Sequence, residues 1–212
     1  MQTDVMIPFL EARLAVFYLL QRAFAAPSTR ESVADLNEAT GLYGLTEPLT
    51  MEEPATEEAE YNRLFVGPGR LPAPLYESVW RSEDRLLMQD QTLQVRAIYR
   101  RYGLESRYGC SQPDDHVAVE LEFYAALQMK ALGDLAMGRT GGFAALIQAQ
   151  QSFFTLHLYP WVPAFCEAIG SRSTSSLFRG LAACTKEVLA REPNVLEHLL
   201  TSIPAKEEPV HA

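Results

Sequence analysis

The run Pro113-Asp114-Asp115-His116 sets two carboxylates and an imidazole side by side, the residue types that serve acid–base catalysis or begin a metal site. Adjacent residues leave a helix on different sides, and no second histidine follows four positions later. Neither a working acid–base pair nor a metal-binding helix face results. The glycines at 67 and 69 lack the G-x-x-x-x-G-K-[ST] spacing that cradles a phosphate. Cys110, Cys166 and Cys184 are odd in number and far apart, with no C-x-x-C pair, which reads as reduced thiols of a cytoplasmic protein. His157, in an aromatic-rich stretch, reads as a packed histidine. The expectation is a protein with no catalytic residue, no metal and no cofactor; the spacing argues against an enzyme that uses Asp115 and His116 for nucleotide or metal chemistry.

A second group of residues suits binding. Between Gly67 and Trp80, the residues Gly67, Pro68, Gly69, Pro72 and Pro74 forbid regular structure, while Leu71, Leu75, Tyr76, Val79 and Trp80 stay apolar. A loop this apolar must be held against something. Tyr76 and Trp80 offer large rigid faces with polar tips. The 18 Lys and Arg against 27 Asp and Glu give a formal net charge of -9, which repels phosphate backbones and anionic lipid. A basic peptide is the easier partner. Nucleic acid is not expected, nor is membrane insertion: Glu11, Arg13, Gln21 and Arg22 interrupt the first apolar run, and nothing is long enough to span a bilayer. Arg100 and Arg101 read as a solvated helix end.

The elements that must position these residues are helical throughout. With 212 residues, 48% of them hydrophobic, the chain can bury one sizeable core. Leu10, Leu14, Phe17, Gln21 and Phe24 recur at helical spacing, with Pro8 near the first turn and Pro27 beyond the end. Ser28 and Glu31 suggest a capping box before Val33 and Leu36, with Gly41 as the stop. The acidic stretch from Leu45 to Glu60, with Pro48 and Pro54, reads as a loop or mobile excursion leading into a short helix begun by Thr56. Thr92 starts a helix that Gly103 ends. Pro113 opens a long central helix with Asp114 and Asp115 in its first turn, carrying Val117, Leu121, Tyr124, Leu132 and Leu135 on one face. After Gly138, Gly141 and Gly142, further helices carry Phe143 to His157, Trp161 to Ile169 and Leu177 to Val188, and Pro193 begins a last turn or two. Alternating apolar and polar residues, the mark of strands, are missing. One helical domain over 1–203 is expected, with a hinge near 103–115 and a disordered tail at 204–212.

Several of these segments, in order, resemble the TorD/DmsD/NarJ-type redox enzyme maturation chaperones. Tyr61-Asn62-Arg63-Leu64-Phe65, then Gly67-Pro68 and Leu71-Pro72-Ala73-Pro74-Leu75-Tyr76-Glu77-Ser78-Val79-Trp80, resemble the family's Y-x-x-L-F and L-P-A-P-P-[YW]-x-S-V-[YW] signature. Pro113-Asp114-Asp115-His116 matches its P-x-D-H motif, Glu120-Leu121-Glu122-Phe123 the run after it, and His157-Leu158-Tyr159-Pro160-Trp161 its H-L-x-x-W element. Arg13 stands where some members carry an arginine in the first helix. Two positions depart from the pattern, Leu75 for a proline and Gln89 for a glycine, both at the rim of the family's pocket.

The resemblance implies an all-α, single-domain bundle of the TorD-like type with a long Gly/Pro-rich apolar loop, existing as a monomer or a domain-swapped dimer. It implies a cytoplasmic chaperone that binds the twin-arginine leader peptide of a molybdopterin oxidoreductase while the cofactor is loaded, the TorD/DmsD pattern being the nearer one. The alternative is a NarJ-type assembly chaperone of a non-exported subunit. The residues it points to for leader binding are Leu64, Tyr76, Trp80, Asp115 and His116, with Phe65, Pro74, Asp114 and Arg13 beside them. In this picture Asp114 or Asp115 pairs with a leader arginine while Tyr76 and Trp80 hold its apolar stretch, a port joining two separate helical regions.

Overall fold

A computed structural model describes residues 3–106 and 112–202. Cys110, part of the hinge expected near 103–115 and the tail expected at 204–212 lie outside the described residues. Helix α1 (Thr3–Ala25) packs on α2 (Arg30–Leu42) and on the central α6 (Val117–Ala136). α6 packs on α7 (Thr140–Phe153), and α8 (Val162–Arg172) packs on α9 (Ser176–Thr201), which also contacts α7. Between these lie α3 (Pro54–Tyr61), the short α4 (Glu77–Arg81) and α5 (Asp90–Arg101). Among the described residues there is no strand, only one antiparallel bridge between Tyr76 and His116. The all-helical reading holds.

The apolar stripe of α1 explains its place. Val16, Phe17, Leu20 and Phe24 are fully buried, and burial of each such side chain stabilises by about 1.5–3 kcal/mol. Met6 and Leu10 enter a smaller second cluster with Phe143, Ile147, Leu196 and Leu199. Two π-helical turns, Asn62–Val66 after α3 and Phe154–Leu158 after α7, widen the buried arc, so that consecutive residues face inward: Leu64 with Phe65, and Phe153 with Phe154.

Several boundaries differ from the sequence reading for local reasons. The capping box of α2 is one residue along: the Thr29 hydroxyl accepts from Ser32 N at 3.1 Å and Ser32 Oγ accepts from Thr29 N at 2.9 Å. α3 starts at Pro54 rather than Thr56, because a proline at the first helical position gives up no bond. The stretch before it is a loop, as one of the two readings had it, and it is anchored rather than mobile. Asn37 holds Leu49 at both its N–H and its carbonyl, at 2.7 and 2.9 Å, and Leu45 and Leu49 are buried. Gly180 makes room for Leu49, whose Cδ2 would lie 2.9 Å from a Cβ there. Both Pro8 and Pro193 sit inside helices. At Pro193, packing of Leu189, Leu196 and Leu199 outweighs the one backbone hydrogen bond that the ring removes.

Candidate functional site

An open cleft of about 620 Å³ lies between the proline-rich loop and α8. One wall is Leu71, Pro72, Pro74, Tyr76, Val79 and Trp80; the other is Ala164, Glu167, Ala168, Ser171 and Arg172. Arg70, Arg85 and Leu87 complete the rim. Trp80 is held half-buried by its indole N–H, which donates to the Pro74 carbonyl at 2.7 Å, and by an edge-on contact with Phe165 at 6.2 Å. The loop hangs from the fold at Ala73 N, which donates to the Leu64 carbonyl at 3.3 Å.

The two motifs singled out by sequence do meet. Val117 N donates to the Leu75 carbonyl at 2.8 Å, Glu77 N donates to the Asp115 carbonyl at 2.9 Å, and the Tyr76 and His116 rings stand edge to face at 5.1 Å. This pairing requires extended backbone at His116, so α6 begins at Val117 and not at Pro113. Asp114 and Asp115 therefore precede the helix rather than fill its first turn.

Their carboxylates do not stand open beside the aromatic pair. Asp115 is fully buried; its side chain accepts from Ser78 N at 2.9 Å, capping α4 from a distance, and from the Thr92 hydroxyl at 2.8 Å, beside the start of α5. Asp114 is 5% exposed and pairs with Arg96. His116 is 3% exposed and caps α6, its Nδ1 accepting from Ala118 N at 3.1 Å. Burial pushes its imidazole down to about 3, so the ring is neutral. All three side chains are engaged within the fold, Asp114 with α5, Asp115 with α4 and α5 and His116 with α6, while Tyr76, Trp80 and Pro74 are the expected residues that reach the cleft.

Leu64 and Phe65 form the pedestal below. Both are buried, Phe65 against Phe24, Tyr61, Phe165 and Phe178. Arg13 is elsewhere. It is 1% exposed, with Nε and Nη2 on the two Glu192 oxygens at 3.0 and 2.6 Å, Nη1 on Gln150 at 2.9 Å and Nη2 on the Tyr124 hydroxyl at 3.1 Å. Burial by itself would lower the pKa of this guanidinium, but the Glu192 carboxylate and Tyr124 together outweigh it and hold the group charged.

A group of buried acids lies behind the loop. Glu77, fully buried, accepts from Arg81 and has His157 Nδ1 3.0 Å away. Glu120 accepts from the Trp161 indole at 3.1 Å. Burial, then the negative charges of Glu77 and Asp115, push the Glu120 carboxyl well above the usual range, which favours its protonated form and a hydrogen bond to Glu77. Among the described residues no group of three His, Cys, Asp or Glu side chains is arranged to hold a metal.

Sequence reasoning missed the α8 wall, the rim arginines and the buried acids. Ala164, Glu167, Ala168 and Ser171 recur at helical spacing opposite Phe165 and Ile169, a signal of a second face but not of what it faces. Glu192 falls in phase with Leu189, Leu196 and Leu199, and Arg13 with Leu10 and Phe17; a charge on an apolar stripe was the available sign of a buried pair.

With this geometry in hand, the chain can be compared with known proteins. Residues 25–167 match the family model described as nitrate reductase delta subunit. The chaperone protein TorD of Vibrio cholerae (strain O395) is 26% identical over 142 residues, 67% of this chain and 63% of its own length. That of Photobacterium profundum is 27% identical over 187 residues, 78% of this chain and 85% of its own. The Tat proofreading chaperone DmsD of Salmonella typhi is 28% identical over 131 residues, 62% of this chain and 57% of its own. The match thus spans about 63% of the length of the first of these relatives. A crystal structure of a protein assigned to redox enzyme maturation, from Archaeoglobus fulgidus, superposes with a TM-score of 0.56 at 22% identity, covering 84% of this chain and 92% of that one, and shares the fold. The relatives are chaperones by name, not enzymes, in keeping with a chain whose motif residues cap helices and shape a cleft. The ordered motifs, the helical bundle and a family match over more than half of the sequence lead to one conclusion: this chain belongs to the nitrate reductase delta subunit family, the TorD/DmsD/NarJ group.

Proposed function

We propose that this chain is a cytoplasmic chaperone that binds the leader peptide of a molybdopterin oxidoreductase and holds that enzyme until its cofactor is loaded. The supporting observation is the cleft. It is open to solvent, its volume of about 620 Å³ suits a short peptide segment, and it presents Tyr76 and Trp80 already fixed in place. Rigid aromatic faces bind an apolar segment at little entropic cost. No helix among the described residues is long and apolar enough to cross a membrane.

The charge layout sharpens the reading. Asp114 and Asp115 are engaged inside the fold, and Glu167, the one carboxylate lining the cleft, already has Lys186 at 3.0 Å. The leader's apolar stretch therefore occupies the cleft, and its arginine pair lies outside. Calorimetric titration tests this with three synthetic leaders: twin-arginine, twin-lysine, and one with its apolar stretch changed to serines. The first two are expected to agree within about threefold, and the third to lose about tenfold or more. A serine leader that binds as well as the first removes the cleft from leader recognition.

A second reading is favoured by the matched family's description, nitrate reductase delta subunit. In it the client is a non-exported redox subunit, recognised through its N-terminal tail. Such a segment should compete with the leader for the cleft.

A further inference from the structure

The cleft is positively charged in a protein that is not. Across the chain acids outnumber bases 27 to 18, yet three arginines line this opening against a single carboxylate. That carboxylate, Glu167, is already paired with Lys186 at 3.0 Å. Arg172 is steadied in place: one guanidinium nitrogen donates to the Pro72 carbonyl, and its own carbonyl accepts from Arg63 at 2.7 Å. Arg70 and Arg85 are exposed, and their guanidinium groups have no hydrogen-bond or ion-pair partner among the described residues. Unpaired guanidinium groups on one rim are a site for carboxylate, which they meet in a fork geometry that lysine cannot offer.

Beside them is an apolar lip. The connection from α4 to α5 holds Leu86, Leu87 and Met88 at 56%, 48% and 63% exposure, three large apolar side chains in a row facing water. Two residues of this connection, Arg85 and Met88, have φ of +53° and +60°, in the left-handed region that neither side chain favours. The strained turn brings Arg85 and Leu87 into the wall of the cleft, so charge and apolar surface adjoin. A run of exposed apolar residues beside a concave site marks a docking surface.

We propose that cleft and lip together select a peptide segment in which an apolar run directly adjoins an acidic residue. The apolar side chains lie on Tyr76, Trp80 and the Leu86–Met88 lip, and the carboxylate meets Arg70 and Arg85. This rests on the cleft being the client site and adds what that site selects beyond hydrophobicity. It predicts that the preferred client carries a glutamate or aspartate at one end of its apolar stretch, away from any arginine pair.

Fluorescence anisotropy with labelled peptides tests it on the full chain. Three peptides share one apolar run flanked by Glu, Gln or Lys, and a fourth carries Glu with the run changed to serines. The wild type is expected to bind the Glu peptide about tenfold more tightly than the Gln peptide, and the Lys peptide more weakly still. Arg70→Gln/Arg85→Gln should erase the Glu-over-Gln preference, while Leu87→Ser should weaken the Glu and Gln peptides alike. All these positions are exposed, and an unchanged melting temperature confirms that the variants are folded. Equal binding of Glu and Gln peptides, with the serine peptide still weak, overturns this inference and leaves the leader reading standing; equal binding of all four overturns both. Sedimentation supplies a further outcome: self-association abolished by Leu87→Ser, with no change in peptide affinity, would give the lip to a second copy and overturn the inference.

Discussion

Replacing Arg13 or Glu192 should unfold much of the margin of stability without touching client recognition. The guanidinium makes four hydrogen bonds in a site where both partners are about 1% exposed or less, and Tyr124 adds a fifth, its hydroxyl donating to Glu192 at 2.8 Å. Glu192→Ala leaves a buried cation with no anion, and Arg13→Ala a buried carboxylate with no cation. Either should cost about 3–5 kcal/mol, the usual penalty for breaking a buried pair from one side. For a chain of this length that is a fall in melting temperature of roughly 6–20 °C. Arg13→Met with Glu192→Leu removes both charges and fills the space with apolar groups, so the double variant should recover part of the loss. Tyr124 loses a partner in every case and Gln150 wherever Arg13 is replaced, which keeps recovery incomplete. Differential scanning calorimetry of the wild type and the three variants measures these losses, and leader titration of the same samples below their melting points completes the test. Unchanged stability in Arg13→Ala, coupled to a large loss of leader affinity, would refute the reasoning and return Arg13 to the binding residues.

Three more outcomes follow from the site. His116 stays neutral in the folded protein down to about 3, whereas the unfolded chain takes up a proton near 6.5; between these values stability should fall with falling pH, by at most about 1.4 kcal/mol per pH unit. Glu120 acts in the opposite sense, because a raised carboxyl stabilises fully below about 4.5 and loses that contribution as pH rises above it. Between pH 4.5 and 6.5 the two offset each other, so denaturant titrations should show stability rising with pH in Glu120→Gln and falling in His116→Asn, which keeps an N-cap acceptor; identical slopes in both would contradict the assignment. Trp80→Ala should weaken leader binding about tenfold or more, and Trp80→Phe, which keeps the ring face, less, as read by titration. Asp115→Ala uncaps α4 and frees the Thr92 hydroxyl, so it should cost about 2–4 kcal/mol and loosen the proline-rich loop, with leader affinity falling only as far as the near-UV signal of Trp80 changes.

The fold class and the meeting of the two motifs were legible because both rest on local chemistry: apolar residues at helical spacing, proline and glycine between them, and a sequence order that resembles known chaperones. Tyr76 and His116 do stand together. What the acids do there was not legible. A carboxylate two residues from a helix start looks like surface, and only the extended pairing of residue 116 with residue 76 turns Asp115 inward to cap a helix 37 residues earlier in the chain. The same limit hid the cleft's composition: Glu167 and Arg172 lie about a hundred residues from Pro72, with no spacing rule to join them. By contrast Glu192 was within reach, since its place on the stripe of Leu189 and Leu196 marks it as inward-facing.

The partnership of Arg13 with Glu192 joins α1 to α9 across 179 residues of chain. A ribosome delivers these groups in that order, so the nascent α1 carries an unanswered positive charge until α9 emerges. The far wall of the cleft, on α8, is likewise made well after the proline-rich wall that it faces. Until α9 is made, the buried charge of α1 therefore has no anion to meet, and the interior of the bundle cannot settle.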